Sequence, residues 1–380
     1  MPGNHAFLSP SSAVRWLFCP PSARLCEQFP DQGSIYASEG TEAHALCEHL
    51  LKEMLGLQTV DPRPSMQYYD GEMEECCQAY AQFICEKVEA HRREANGAEP
   101  YVFVEQGLDL RKYIPESMGT ADCVLVSGET IEVIDFKYGK HPVTAQSPQI
   151  RIYAIGAYEM FSPLYPISRV RMGIFQPRIA NVTEMELSVE ELLSWGENEL
   201  APRAREAFDG VGAFACGDWC RICRARQKCR ALADYQLAIE QYEMKDPALL
   251  SDAEIADILS RADDLVSWVN AVKEFALQEA LSGHQFPGFK VVEGRANRKY
   301  IDEDAVAARV KAEGKDPWDQ SIKGITAMQK LLGKKHFEEL LSDLLSRPEG
   351  KPTLVSVSDK RPELTPARVV FTPVDSDSDT

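Results

Sequence analysis

Asp122, Asp135 and Lys137 fall within one short stretch, Gly119-Thr-Ala-Asp-Cys-Val-Leu-Val-Ser-Gly-Glu-Thr-Ile-Glu-Val-Ile-Asp-Phe-Lys137. Gly128-Glu129 suits a two-residue type II′ turn, which wants glycine first, so Ser127 should face Thr130. Counting outward from that pair sets Asp122 opposite Asp135. Side chains so placed have Cβ atoms about 4.5–5.5 Å apart, and like charges there repel. Lys137, two residues beyond Asp135, shares its face. An exposed ion pair on a hairpin contributes about 0–1 kcal/mol and needs no function. Here, however, the neighbours Val124, Val126, Ile131, Val133, Ile134 and Phe136 are apolar on both faces. That predicts a buried hairpin, whose charges need a partner or a metal. Two carboxylates and an ammonium forced together favour a divalent cation, the arrangement of a metal-dependent nuclease.

Three further signals accompany the hairpin. Gln149 and Tyr153 are four residues apart on one predicted helix, so they share its face. His44 lies in Glu39-Gly-Thr-Glu-Ala-His44, where a lone histidine is more often a satisfied surface residue than a ligand; Glu48, one turn on, could partner either it or a metal. Glu105 stands mid-strand among apolar neighbours in Phe103-Val-Glu105-Gln-Gly. The third signal is Cys220-x2-Cys223-x5-Cys229, with Cys216 four residues before it. Four local thiolates would satisfy tetrahedral zinc. Alternatively a remote fourth thiol, Cys19 or Cys26 behind it, would complete the ligands of an iron–sulfur cluster. Cys47, Cys76, Cys77, Cys85 and Cys123 read as core positions of helices or strands.

The elements that must position these residues follow from pattern. Ser9-Pro10 opens a short helix that stops before Cys19-Pro20-Pro21. A second helix is expected from Glu39-Gly40-Thr41, capped by Thr41, and a third over roughly 71–94. Period-two alternation predicts strands at Tyr101–Leu110, Thr120–Val126 and Ile131–Lys137. A helix from Ser147-Pro148 to about Ser162, a strand over Val170–Phe175, and a helix from a capping box at Ser188 to about Phe208 complete an α/β core. Beyond it come a long amphipathic helix from Ser251 to about Leu281, strands between Phe289 and Ile301, and helices near 303–312 and 325–346. The expected divisions are 1–235, a mainly helical 236–371, and an acidic disordered tail, 372–380.

At 380 residues, 44% hydrophobic and 26% charged, the composition is that of a soluble globular protein. No apolar run is long enough for a membrane span. The first residues lack a basic and an apolar region, so secretion is not expected. Eleven cysteines without an export signal point to thiols or metal ligands in the cytoplasm. The net charge of −18 excludes tight, non-specific nucleic-acid binding over the whole surface. A basic channel is compatible with it, since residues 219–230 carry five basic residues and no acid.

Taken in order, Ser9-x-Ser11…Cys19-Pro20, Gly40-Thr-x-x-His44, Gly119-Thr-Ala-Asp122, Ile134-Asp135-Phe136-Lys137, Gln149-x3-Tyr153 and Cys220-x2-Cys223-x5-Cys229 resemble the RecB-like PD-(D/E)xK nucleases. The pattern is most similar to the iron–sulfur members, the AddB nuclease domain and the CRISPR adaptation nucleases, and to a phage and prophage family carried as a domain of unknown function. The resemblance spans residues 9–229. It implies a restriction-endonuclease-like core, with a central mixed sheet flanked by helices. It also implies that Asp122, Asp135 and the Phe136 carbonyl bind Mg²⁺ or Mn²⁺, with His44 completing or tuning the site. Lys137 would act on the attacking water and phosphate, and Gln149 and Tyr153 would position the DNA strand or the water. Cys19, Cys220, Cys223 and Cys229 would hold a structural [4Fe-4S] cluster, with zinc the alternative that Cys216 keeps open. The implied activity is a DNA exonuclease of phage or bacterial recombination or repair. The competing reading is a non-catalytic cluster- or zinc-bearing DNA-binding module; an electron-transfer protein finds support only in the cysteines. The C-terminal helices would serve self-association or a recombination partner such as a strand-annealing protein.

Overall fold

The structure is a computed structural model that describes residues 6–31, 33–238, 251–292, 303–312, 318 and 324–345. A 3-10 turn, Pro10–Ser12, leads into α1 (Ala13–Phe18), and α2 (Ser22–Glu27) follows the Cys19-Pro20-Pro21 break. Helix α3 (Ile35–Met54) begins earlier than sequence suggested, because the Ser34 hydroxyl accepts the Ala37 amide and caps it there. Thr41, the expected cap, lies inside the helix with its hydroxyl on the Ala37 carbonyl. A mid-helix glycine such as Gly40 costs about 0.5–1 kcal/mol, too little to stop a helix that buries Leu46, Leu50 and Leu51. Asp70 caps α4 (Gly71–Glu94).

Five strands, β1 (Tyr101–Asp109), β2 (Met118–Ser127), β3 (Thr130–Phe136), β4 (Arg169–Gln176) and β5 (Asn181–Ser188), form one mixed sheet in sequence order. All neighbours are antiparallel except β3 and β4, which run parallel with α5 (Pro148–Phe161) connecting them. β5 was not expected from sequence. It is an edge strand with one face half-buried, and its alternation, Val182, Met185 and Leu187 among Asn, Thr and Glu, is too polar to stand out. The expected capping box at Ser188 is present and starts α6 (Val189–Trp195). A wide turn over Gly196–Leu200 then leads into α7 (Ala201–Asp209). An added Cβ at Gly196 would overlap Ile155, so this turn packs directly against α5.

The sheet separates two apolar layers. Cys123, Leu125, Ile134, Phe136 and Phe175 pack with α3 and α4. Val124, Val126, Ile131, Val133, Met172 and Ile174 pack with α1, α5 and α6. Alternate residues of each strand serve alternate layers, and β3, central and wholly buried, serves both. α8 (Arg230–Leu237) and α9 (Asp252–Leu281) complete a compact unit that ends at Ser282. The second unit, from Gly283, contains α10 (Glu303–Ala312), α11 (Ile325–Leu332) and α12 (Lys334–Leu341), with Phe337 buried within it. Residues 289–292 are not strand, and the rest of the strand expectation to Ile301 lies outside the described residues, as does the acidic tail. Among the described residues no helix is long and apolar enough to cross a membrane.

One charged cluster is built into the sheet itself. Glu132, 2% exposed on β3, meets His91 Nε2 at 2.6 Å and Lys87 Nζ at 2.8 Å, both from α4. Burial opposes its ionisation, but these two partners hold its carboxyl below the usual range. Glu132→Ala takes the buried acceptor from His91 and leaves Lys87 only Glu184, at 2.7 Å, and should cost about 1–3 kcal/mol in urea unfolding at neutral pH. Because the folded pKa is depressed, this contribution is complete above the unfolded value of about 4.3. It is lost as pH falls through the folded one, so the gap between wild type and variant should narrow in acid.

Candidate metal centre

The hairpin register is the one counted from sequence: Ser127 pairs with Thr130 across Gly128 (φ +57°), and pairing continues to Cys123 with Ile134. The register of β1 on β2 is equally constant. Together they set Glu105, Asp122 and Asp135 in one row across three adjacent strands, and there the backbone ladder is interrupted. Val104–Cys123 and Gln106–Ala121 pair on either side of the row, while Glu105 itself takes a left-handed φ of +52°. Such a conformation costs a non-glycine residue about 1–3 kcal/mol and tends to gather at functional sites.

The interruption lets side chains replace backbone pairing. Asp122 Oδ2 accepts the Phe136 amide at 2.7 Å, and Oδ1 lies 3.2 Å from His44 Nδ1. His44 comes from α3, its ring edge-on to Phe136 at 5.4 Å. Lys137 Nζ stands 2.8 Å from Asp135 Oδ2 and donates to Gln149 Oε1 at 2.9 Å; Gln149 Nε2 in turn donates to the Tyr153 hydroxyl at 3.2 Å. Gln149 and Tyr153 lie on successive turns of α5, which Pro148 opens. The two helical layers therefore meet at this row, α3 bringing an imidazole and α5 an amide and a phenol.

Charge is unevenly compensated. Burial raises the Asp122 carboxyl, but His44, Lys137 and the Phe136 amide outweigh it and hold it below its ordinary value. Asp135 is pushed up by burial and by Asp122 in spite of Lys137. Burial also lifts Glu105 to about 7, with Asp122 adding repulsion. His44 is disfavoured by burial but raised to about 9 by Asp122. Asp135 Oδ2 is buried without an aligned hydrogen-bond donor. One donor atom each from His44, Glu105 and Asp122 lies within 4.8 Å of the others. An imidazole and two carboxylates, with the Asp135 carboxylate paired to Lys137 beside them, fit a divalent cation. Asp135 lies outside that trio, alongside it through Lys137.

Other expectations fare differently. Glu48 pairs with Lys52 at 2.6 Å, so His44 takes Asp122 as its partner instead. Gln176 gave no signal in sequence, yet it is fully buried and anchors the loop between Lys137 and α5. It donates to the Gly139 and His141 carbonyls at 2.6 and 2.8 Å and accepts the Val143 amide. Gly119 matters for close packing: a Cβ there would sit 3.0 Å from the Tyr153 ring.

Cys19, Cys216, Cys220, Cys223 and Cys229 line one small cavity, closed partly by Trp219, which stacks on Phe18 at 4.8 Å. Arg15, 7% exposed, also lines it; its one hydrogen-bonded side chain among the described residues is Ser22. Cys26, outside the cavity, approaches Cys223 Sγ to 3.6 Å. That hydrogen bond lowers the Cys26 thiol to about 5 and raises Cys223. Burial lifts Cys216 to about 12. A buried guanidinium beside five thiols fits an anionic thiolate-ligated group. Of the basic stretch at 219–230, Arg221 pairs with Asp264 at 2.9 Å and Arg224 with Asp31 at 3.4 Å.

The fold and the carboxylate row define an α/β protein with a five-stranded mixed sheet and a candidate divalent-cation site. The sequence matches the family described as "Protein of unknown function (DUF2800)" over residues 5–362, and the chain belongs to that family. The solved structure "Crystal structure of SSO0001" is 17% identical, covering 53% of this chain and 98% of that one, with a TM-score of 0.22.

The raised Glu105 carboxyl has a measurable consequence in chelator-treated protein. Between the unfolded value near 4.3 and the folded value the native state holds the extra proton, so stability falls as pH rises through that window. Glu105→Gln, which cannot ionise, should match wild type most closely below about pH 4. Relative to their difference below about pH 4, where both states are protonated, it should gain on wild type by on the order of 1–3 kcal/mol above pH 7 in urea unfolding.

Proposed function

We propose that this chain is a metal-dependent DNA nuclease of the RecB-like PD-(D/E)xK type with a restriction-endonuclease-like core, acting as an exonuclease in phage or bacterial recombination or repair. The observation that carries the proposal is the convergence of Asp122, Asp135 and Lys137 on one buried spot, with His44, Glu105, Gln149 and Tyr153 around it. Asp122, Glu105 and His44, with Asp135 and the Phe136 carbonyl, would hold Mg²⁺ or Mn²⁺. When bound, that ion supplies Lewis-acid polarisation of the scissile phosphate and lowers the pKa of attacking water. His44 must give up its proton to serve as a ligand. Lys137, fixed between Asp135 and Gln149, presents its ammonium to the charge that develops on the phosphate. Gln149 and Tyr153 orient the strand or the water by hydrogen bonding.

Cys19, Cys220, Cys223 and Cys229 would carry a [4Fe-4S] cluster with a structural role, Arg15 offsetting its charge. A purely DNA-binding role is the weaker reading, because Arg221 and Arg224, two of its candidate phosphate contacts, are already paired with acids.

The decisive experiment is degradation of linear DNA with Mg²⁺, Mn²⁺ or chelator. Turnover should require the cation and fall about 10²–10³-fold in Lys137→Ala that retains the native circular dichroism; undiminished activity in that variant overturns the assignment. Anaerobic purification should yield a brown protein with about four irons, bleached by Cys220→Ala. A colourless protein with one tightly held zinc would overturn the cluster assignment.

A further inference from the structure

Helix α9 is thirty residues long and has two unlike faces. The inner one is docked. Trp268 Nε1 donates to the Arg226 carbonyl at 3.2 Å, Asp264 pairs with Arg221, Phe275 receives Lys228 at 5.0 Å from its ring centroid, and Arg261 reaches the Tyr235 ring and carbonyl. At about 100° per residue, positions 261, 264, 268 and 275 lie within about 40° of one another's mean direction. The opposite face carries Ile255, Leu259, Val266, Leu277 and Leu281, each between 43% and 62% exposed, with exposed Asn270 among them.

These six positions step by four, seven, four, seven and four. That is an eleven-residue repeat, about 3.67 residues per turn, so the stripe runs almost straight along the helix. It is also a palindrome about Trp268. Ile255 mirrors Leu281, Leu259 mirrors Leu277, and Val266 mirrors Asn270. The same centre mirrors exposed Asp263 onto exposed Lys273. An isologous dimer demands such self-complementarity, since residue i of one copy meets residue j of the other and the reverse. In a parallel pairing Asp263 would lie level with Asp263 and Lys273 with Lys273, which is repulsive. Antiparallel pairing brings each Asp263 level with Lys273 of the second copy and sets Leu259 against Leu277 and Ile255 against Leu281.

We infer that the outer face of α9 is a homodimer surface, on which a second copy of this chain docks antiparallel about a twofold axis at the level of Trp268. Near the centre Asn270 lies level with Val266 of the second copy, a polar contact that limits the affinity. The stripe from Ile255 to Leu281 spans about 39 Å, a length suited to an interface of standard size.

The test is sedimentation equilibrium of the full chain. Wild type should be dimeric at about 20 µM, a concentration at which a specific interface of standard size is occupied. Leu259→Lys with Leu277→Lys should shift the dissociation constant upward by at least about a hundredfold, with circular dichroism unchanged. Lys273→Asp alone should weaken the dimer severalfold, and Asp263→Lys added to it should restore wild-type affinity. A monomeric wild type overturns the inference; protection of the α9 amides in that monomer would show that another part of the chain covers the stripe. A dimer indifferent to the double leucine substitution overturns it equally, because the contact then lies elsewhere. Weakening by the charge swap without restoration overturns the antiparallel register.

Discussion

The site is organised by buried negative charge. Setting Glu105, Asp122 and Asp135 in a row across three adjacent strands places like charges where backbone pairing and apolar packing would otherwise be continuous. Buried ions cost several kcal/mol each unless paired and hydrogen-bonded, and the surrounding elements answer that cost one by one. α3 brings His44 to Asp122, the end of β3 brings the Phe136 amide and Lys137, and α5 fixes the far side of Lys137 through Gln149. The compensation is incomplete. Asp135 keeps an unaligned oxygen, and Glu105 sits in a strained backbone with its carboxyl raised. A sheet optimised only for stability would not retain this row, whereas one that must seat a cation has reason to.

The thiol cavity brings Cys19 beside cysteines far along the chain, and packing holds the chain's start there. Arg24 donates to the Phe208 carbonyl at 2.7 Å and its guanidinium lies over the rings of Phe7 and Phe208. Gly210 leaves room for the Arg24 stem, which a Cβ would meet at 2.7 Å. A group bound by Cys19 and the 220–229 loop would therefore reinforce a junction already formed by packing. It would close a loop of about 200 residues, whose entropy grows only logarithmically with length. Of the six nearby thiols, Cys19, Cys216, Cys220, Cys223 and Cys229 line the cavity, and Cys223 also approaches Cys26 outside it.

Much of this was legible in the sequence, and the reasons are local. Gly128-Glu129 fixes the turn, the turn fixes the register, and the register alone sets Asp122 and Asp135 in line. Ser188 with Glu191 marks its helix start because the capping hydrogen bonds are made within four residues. What stayed hidden depends on partners distant in the chain. Ser34 rather than Thr41 caps α3, although the turns it adds, Ile35–Gly40, are exposed or half-buried and so leave no apolar pattern to read. β5 is too polar to be recognised except beside β4. Gln176 acquires its role from carbonyls more than thirty residues away, Glu48 loses His44 to an aspartate on another element, and Glu105 shows its left-handed backbone only once β2 lies beside it.

Charge distribution constrains how such a site could hold a polyanion. Acids outnumber bases 59 to 41, and many of the bases are already committed: Arg171 to Glu94 and Glu186, Arg178 to Glu39 and Glu72, Arg63 to Glu74 and Asp61. Bases held in such pairs are less available to displace counterions from DNA. On the proposed reading, attraction to the substrate comes in part from the cation seated among Glu105, Asp122 and His44 and from Lys137 beside it. The acidic body would repel DNA everywhere else, so only a strand led into the carboxylate row would gain more than it loses.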